Sequence, residues 1–381
     1  MKLAYTILLF AVILFLCNTS KAHCNVINNY QNVDSLSADS LTKDILKNGF
    51  YIEKSLPANY VKDASVDYTK YIQAALKAHK KVVFPSFPLL INDEGIQVTD
   101  NSQWLFVKGA VLKLKPTNKT HYQIVQIKNA ANVILLNPNI DGDRANHLSK
   151  EGVWGFGLSI ISSSDVRLYN VVLKNCWGDG LYIGQANKVP SKNIYVYNVF
   201  CDSNRRNGIT ITSGINIYIN NAISQNSQGA LPMAGIDIEP NDSTNKLDNI
   251  VLNNPVTKNN SGKGIQIGII KMTRLNSNYV SISILNHYDI GSPIGILIAS
   301  KKPYVIKRQT VAKFLGHINI QNPIWEDNDD SQFRALSLDE IAPNITIQNP
   351  VIKRKGKALS NAQIHELIQG KTNLKEKVLI N

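Results

Sequence analysis

Groups able to do acid–base or ion-pair chemistry gather mostly in the middle of the 381-residue chain. Asp179 sits between two glycines in Trp177-Gly178-Asp179-Gly180, Arg205 and Arg206 follow, and Asp237 and Glu239 stand two residues apart. Two carboxyl groups on one side of a strand suit bond cleavage, one giving a proton to a leaving oxygen while the other activates water. Guanidinium groups pair bidentately with carboxylates, and aromatic rings offer flat faces to sugars. Arg205, Arg206, Arg144 and Lys263 are therefore the candidate cationic contacts, and Trp154, Trp177 and Tyr182 the candidate aromatic ones. His147, in Asp141-Gly142-Asp143-Arg144-Ala145-Asn146-His147, is a further acid or base near neutral pH. Asp141 and Asp143 lack the additional oxygen ligands of a calcium loop, and no Cys/His cluster has metal-site spacing, so no metal or cofactor is expected, although a divalent cation is not excluded.

What must position these groups is a repeat. Six times a glycine precedes an apolar–x–apolar triplet: Gly157-Leu158-Ser159-Ile160, then at Gly180, Gly208, Gly235, Gly264 and Gly295. The intervals of 23 to 31 residues are too short for β/α units and suit one turn of a solenoid. A second repeat, out of phase, closes alternating strands with asparagine at Asn137, Asn170, Asn198, Asn220, Asn322 and Asn349. Each period thus holds at least two short strands, which bury their apolar columns only by stacking coil on coil. The reading is an all-β fold, a single-stranded right-handed parallel β-helix with a short N-terminal capping helix. Alternation turns the triplet's apolar residues inward and its glycine and central residue outward. The central column is then Ser159, Tyr182, Thr210, Asp237, Gln266 and Leu297. The glycines either floor a groove or permit a tight corner.

Residues 1–22 read as a signal peptide: Lys2, an apolar run from Ile7 to Leu16, and small residues in Ser20-Lys21-Ala22. That run is too short to span a membrane, so no transmembrane segment is expected after cleavage, and the protein is expected to be exported to the periplasm, the cell surface or the medium. Residues 23–62 read as an irregular leader, 63–352 as the β-helix and 353–381 as a basic C-terminal cap. The formal charge is +13, and +11 once the two lysines of the signal are removed, which favours acidic glycans or anionic surfaces as partners. No nucleic-acid partner is expected, and the protein reads as a monomer. Cleavage would leave Cys24, Cys176 and Cys201, an odd number that fits buried thiols better than a disulfide framework.

The segment from Asp67 to Pro85, with Asp-x-Thr, Ile-Gln-x-Ala-Leu and Val-Val-Phe-Pro, resembles the opening helix and first strand of the pectate-lyase-like β-helix superfamily. Gly178-Asp179-Gly180-Leu181-Tyr182-Ile183 and Asn207-Gly208-Ile209-Thr210-Ile211 resemble the polygalacturonase family within it, where Gly-Asp-Asp is followed one coil later by Gly-His-Gly-Ile-Ser-Ile. The chain departs from that family at Gly178, at Asn207 in the place of the histidine, and at Phe156 where Asn-Thr-Asp is usual; the Asp-Pro-His motif of mannuronan epimerases is absent. The resemblance implies an exported polysaccharide-degrading enzyme. With the paired acids it gives a glycoside hydrolase on an acidic, uronate-containing glycan, catalysed by Asp179, Asp237 and Glu239. The alternatives are a lyase or C5-epimerase using Arg205 or Arg206 with Tyr182 or His147, and a non-catalytic carbohydrate-binding β-helix.

Overall fold

Among the described residues, a coil of the central stack passes through three faces of short parallel strands, and strands inside the stack pair with their counterparts one coil before and one coil after. The computed structural model describes residues 38–272, 278–300 and 313–381; the segment 1–22 read as a signal peptide, Cys17 and Cys24 lie outside the described residues. The site-bearing face stacks His121–Lys128, Trp154–Ile161, Leu181–Ala186, Ile209–Ile211, Ala234–Ile238, Lys263–Gly268, Ile294–Ala299 and Ser331–Ser337. Its register is continuous: Leu158, Leu181, Ile209, Ile236, Ile265 and Ile296 are successive inward partners, and Ser159, Tyr182, Thr210, Asp237, Gln266 and Leu297 form the outward column read from the sequence. The column also runs upstream through Gln126 and Gln97, a triplet starting at Gly95 that belongs to the same series. This is a right-handed parallel β-helix.

The other two faces are carried by long strands, such as Ser164–Lys174, Val189–Asp202 and Gly214–Gln225, each with two left-handed residues: Asp165 and Asn170, Asn193 and Asn198, Asn216 and Asn221. Asn170, Asn198 and Asn221 have φ near +55°, a left-handed conformation that asparagine tolerates better than most side chains. Asn137, Asn170, Asn198, Asn221, Asn254, Asn286, Asn322 and Asn349 stand one above another, each amide Nδ2–H donating to the Oδ1 of the asparagine one coil earlier at 2.9–3.1 Å. Two sequence readings shift here. The ladder residue is Asn221, not Asn220, and each coil holds three strands where two were the minimum.

Apolar columns of isoleucine, leucine and valine fill the interior, among them Ile160, Ile183, Ile211, Ile238 and Ile267. The six glycines from Gly157 to Gly295 neither floor a groove nor take a left-handed turn, unlike Gly95 with φ +67°. A Cβ on Gly180 would point inward, 2.7 Å from Nδ2 of Asn204 and 3.1 Å from Sγ of Cys201. They are glycines because the third face comes too close for a side chain. Cys176 and Cys201 are buried free thiols beside this strip.

The solenoid begins with helix Thr69–Ala78, whose buried face is Ile72, Ala75 and Leu76. Asp67 accepts the Thr69 N–H at 2.9 Å, though Tyr68 is the cap residue by conformation. The stretch read as an irregular leader contains a helix at 38–48, in a unit of its own, and Phe50–Tyr51, which pairs with Val82 and Val83. Beyond 352, Val378–Ile380 adds another strand against Ile345–Ile347. Helix Asn361–Gly370, with a Ser360–Gln363 capping box, buries Ile364 and Ile368. Among the described residues no helix is long and apolar enough to cross a membrane.

Candidate active site

Strand alternation puts Asp237 and Glu239 on the outer side of one strand, with Thr210 and Thr212 one coil before them and Gln266 one coil after. Arg206 lies across them. Its Nη1 donates to Oδ2 of Asp179 at 2.8 Å, while Nη2 stands 3.7 Å from both Asp237 and Glu239. Lys271 reaches Glu239 from the other side at 3.8 Å. Asn207, beside Arg206 in the chain, ties the two aspartates together: its backbone N–H donates to Asp179 at 3.2 Å and its Nδ2 donates to Asp237 at 3.1 Å. Gln266 Nε2 donates to the other Asp237 oxygen at 3.0 Å. The two-coil separation of Asp179 and Asp237 is thus closed by Asn207 and Arg206.

Asp179 and Asp237 are fully buried, which corrects the expectation that these outward residues face solvent; Glu239 keeps 30% of its side chain exposed. The periodicity places them outside the coil but says nothing of what covers them, here Arg206, Gln266 and Asn207. Burial, and after it the negative charge of Glu239, raise the Asp237 carboxyl while Arg206 opposes them, and the balance stands at about 7. Burial likewise raises Asp179, offset by Arg206. Burial by itself would lower Arg206, but Asp179, Asp237 and Glu239 outweigh it and raise the guanidinium. Lys263, on the next strand, is lowered by burial, with the acids opposing. The centre therefore combines an acid that holds its proton near neutrality, a carboxyl group in touch with water, and cations on both sides.

The remaining candidates divide. Tyr182 belongs to the site: its ring stacks on Phe156 at 4.5 Å, its hydroxyl lies 3.1 Å from Thr212 Oγ1, and burial raises its pKa. Trp154 is 46% exposed and stacks on His121 at 4.2 Å. Trp177 does not form a second plate beside it. It is buried between His147, stacked at 3.9 Å, and the guanidinium of Arg205, 3.9 Å above its ring. Arg205 donates to the carbonyls of Gly152 and Lys150, Trp177 Nε1 to Glu151, and Arg144 to Ser203. His147 Nδ1 bonds Asp143 at 2.8 Å, and Asp143 also accepts from Tyr122 and the Thr117 N–H. These contacts clamp the 141–153 loop and give Arg205, Arg144, Trp177 and His147 partners within the fold. Sequence reasoning did not assign Lys271, Gln266 or Asn207 to the site. Gln266 was legible as the next member of the outward column.

No protein-family profile and no curated protein matches this chain. Solved structures do match, at the level of fold. The tailspike of E. coli bacteriophage HK620, solved with a pentasaccharide, superposes with a TM-score of 0.62 at 11% identity, over 82% of this chain and 58% of the tailspike. The Streptococcus pneumoniae surface adhesin PfbA gives 0.60 at 15% identity, over 81% and 79%. The A-module of Azotobacter vinelandii mannuronan C-5 epimerase AlgE4 gives 0.54 at 13%, over 80% and 88%. All are right-handed parallel β-helices.

Proposed function

We propose that this chain is an exported glycoside hydrolase acting on an acidic polysaccharide, with Asp237 and Glu239 as its catalytic pair. The observation that carries the reading is two carboxyl groups on one strand, held by one arginine, with Asp237 raised to about 7. Asp237 keeps its proton and gives it to the glycosidic oxygen; Glu239, in contact with water, takes a proton from the attacking water. Both acids stand 3.7 Å from the same nitrogen, so their nearest oxygens are no more than twice that apart. This admits the ~5–5.5 Å of a retaining pair and the lower part of the ~6.5–9.5 Å of an inverting one. A uronate carboxylate on the glycan competes for Arg206, which is bonded closely to Asp179 and loosely to the other two, and its arrival uncovers Asp237.

Elimination or epimerisation is the weaker reading, because Tyr182 is raised by burial and so keeps its proton, His147 is enclosed, and Arg205 is committed to loop carbonyls. The test is product analysis against acidic and neutral polysaccharides. New reducing ends without the absorbance of an unsaturated uronate support hydrolysis; that absorbance means elimination, and binding without either product means a carbohydrate-binding β-helix.

A further inference from the structure

Two excursions rise from the site-bearing face on coils two apart. The first is a hairpin, where Gln185 pairs antiparallel with Pro190 and Ala186 with Val189, with Asn187 and Lys188 at its tip. The second is the loop 240–246, built on Asp242 and Asn245: Asp242 Oδ1 accepts the N–H and the hydroxyl of Thr244, both at 2.6 Å, and Asn245 Oδ1 accepts the backbone N–H of Asp242 at 3.0 Å. The coil between them has no such excursion and runs from Ile211 through Thr212 and Ser213 into the next strand at Gly214. Two coils at ~4.8 Å leave walls about 10 Å apart at their bases. They enclose a cleft of ≈ 250 Å³.

The cleft's chemistry differs from that of the acid centre beside it. It is lined by the amides of Gln185, Asn187, Asn241 and Asn245, the hydroxyls of Thr212 and Thr244, and one residue of each charge, Lys188 and Asp242, the latter with Oδ1 taken by Thr244. One end is closed by a relay in which Ser213 Oγ donates to Gln185 Oε1 at 2.9 Å and Gln185 Nε2 donates to Thr244 Oγ1 at 2.7 Å. The Thr212 hydroxyl is fixed by Tyr182 at 3.1 Å. Among the described residues, neither the Asn187 amide nor Oδ1 of Asn241 has a hydrogen-bond partner, so donors and acceptors remain for a ligand. Thr212 and Glu239 are outward neighbours on adjacent coils, which puts the cleft directly against the acid centre.

A lining made mostly of amides and hydroxyls, with a single lysine balanced by a single aspartate, matches the hydroxyl or acetamido groups of an uncharged sugar ring, and lacks the cation cluster an anion needs. We infer that this cleft is a subsite for one neutral sugar residue, so that the chain's glycan is a heteropolysaccharide whose uncharged residue sits between the hairpin and the loop while its acidic neighbour lies at Arg206 and Lys271. This rests on the glycan reading above and narrows it.

The experiment is saturation-transfer NMR on the exported chain with methyl glycosides of glucose, galactose and N-acetylglucosamine, and with glucuronate. At least one neutral glycoside should show transfer with the wild type and with Glu239→Gln. In Asn187→Ala/Asn241→Ala, two exposed positions, its affinity should fall at least about tenfold. Absence of transfer from all three neutral glycosides, unchanged affinity in the double variant, or tighter binding of glucuronate there would overturn the subsite. Because Glu239→Gln removes the proposed reaction and leaves this cleft intact, failed hydrolysis and a failed subsite give different results.

Discussion

Two buried aspartates in this molecule share a carboxyl raised to about 7, yet their surroundings differ. Asp289 points into the coil. It accepts only from neutral donors, the Thr257 hydroxyl at 2.5 Å, the Ser292 hydroxyl at 2.8 Å and the Asn328 amide at 2.6 Å. Its neighbour His287, lowered by burial to about 3, takes the Trp325 N–H on Nδ1, which leaves Nε2 to donate to Thr257. Every partner there is internal and neutral. Asp237 points out of the coil, with a cation on one side, a second acid on the other and Glu239 opening to solvent. A raised carboxyl is therefore no mark of a reaction centre by itself. Opposed charges and a route to solvent set Asp237 apart.

That contrast breaks most readily at Asp289. Asp289→Ala leaves two hydroxyls and an amide without their acceptor inside the coil and should cost ~3 kcal/mol or more, read as a fall in Tm. Asp237→Asn should cost far less, since the amide keeps the side chain's shape and Gln266 and Asn207 turn their own amides to suit it. Equal losses would make both clusters structural struts. The next effect separates the arginines. Arg206→Ala leaves three acids without their shared cation and should lower Tm more at pH 8 than at pH 5, where the raised acids take up protons. Arg205→Ala should cost ~1–2 kcal/mol, through the loop carbonyls and Trp177, with no such pH trend.

The smallest effect is a slope. The Asp237 pKa is higher in the folded chain than in the unfolded one, so its ionisation removes stability as pH rises from about 4 to about 7. The Tm of Asp237→Asn relative to wild type should therefore climb between pH 5 and pH 8. His287 acts in the opposite sense, losing stability as pH falls from 6.5 toward about 3, but equally in both proteins. A Tm difference independent of pH would show that Asp237 is not raised.

The sequence made the faces legible and left the covers hidden. Period-two alternation and the spacing of Gly180, Gly208 and Gly235 put Tyr182, Thr210 and Asp237 in one column, and the ladder register agrees. What lies over a column depends on side chains from other coils. Arg205 and Arg206 are consecutive, yet one turns to the carbonyls of a loop fifty residues earlier and the other to the acids. Trp154 and Trp177 both precede a glycine by three residues, yet Trp154 stays exposed while the 141–153 loop brings His147 onto the Trp177 ring. Equivalent position in a repeat fixes backbone, whereas loop length decides burial.

The central claim is that Asp237 and Glu239 perform the chemistry, and turnover on a cleaved acidic glycan tests it most directly. Glu239→Gln and Asp237→Asn should keep the wild-type circular dichroism while at least one lowers kcat about a hundredfold or more. Wild-type turnover in both variants, with folding intact, would contradict the account and leave the cluster a structural knot on the face of a binding β-helix.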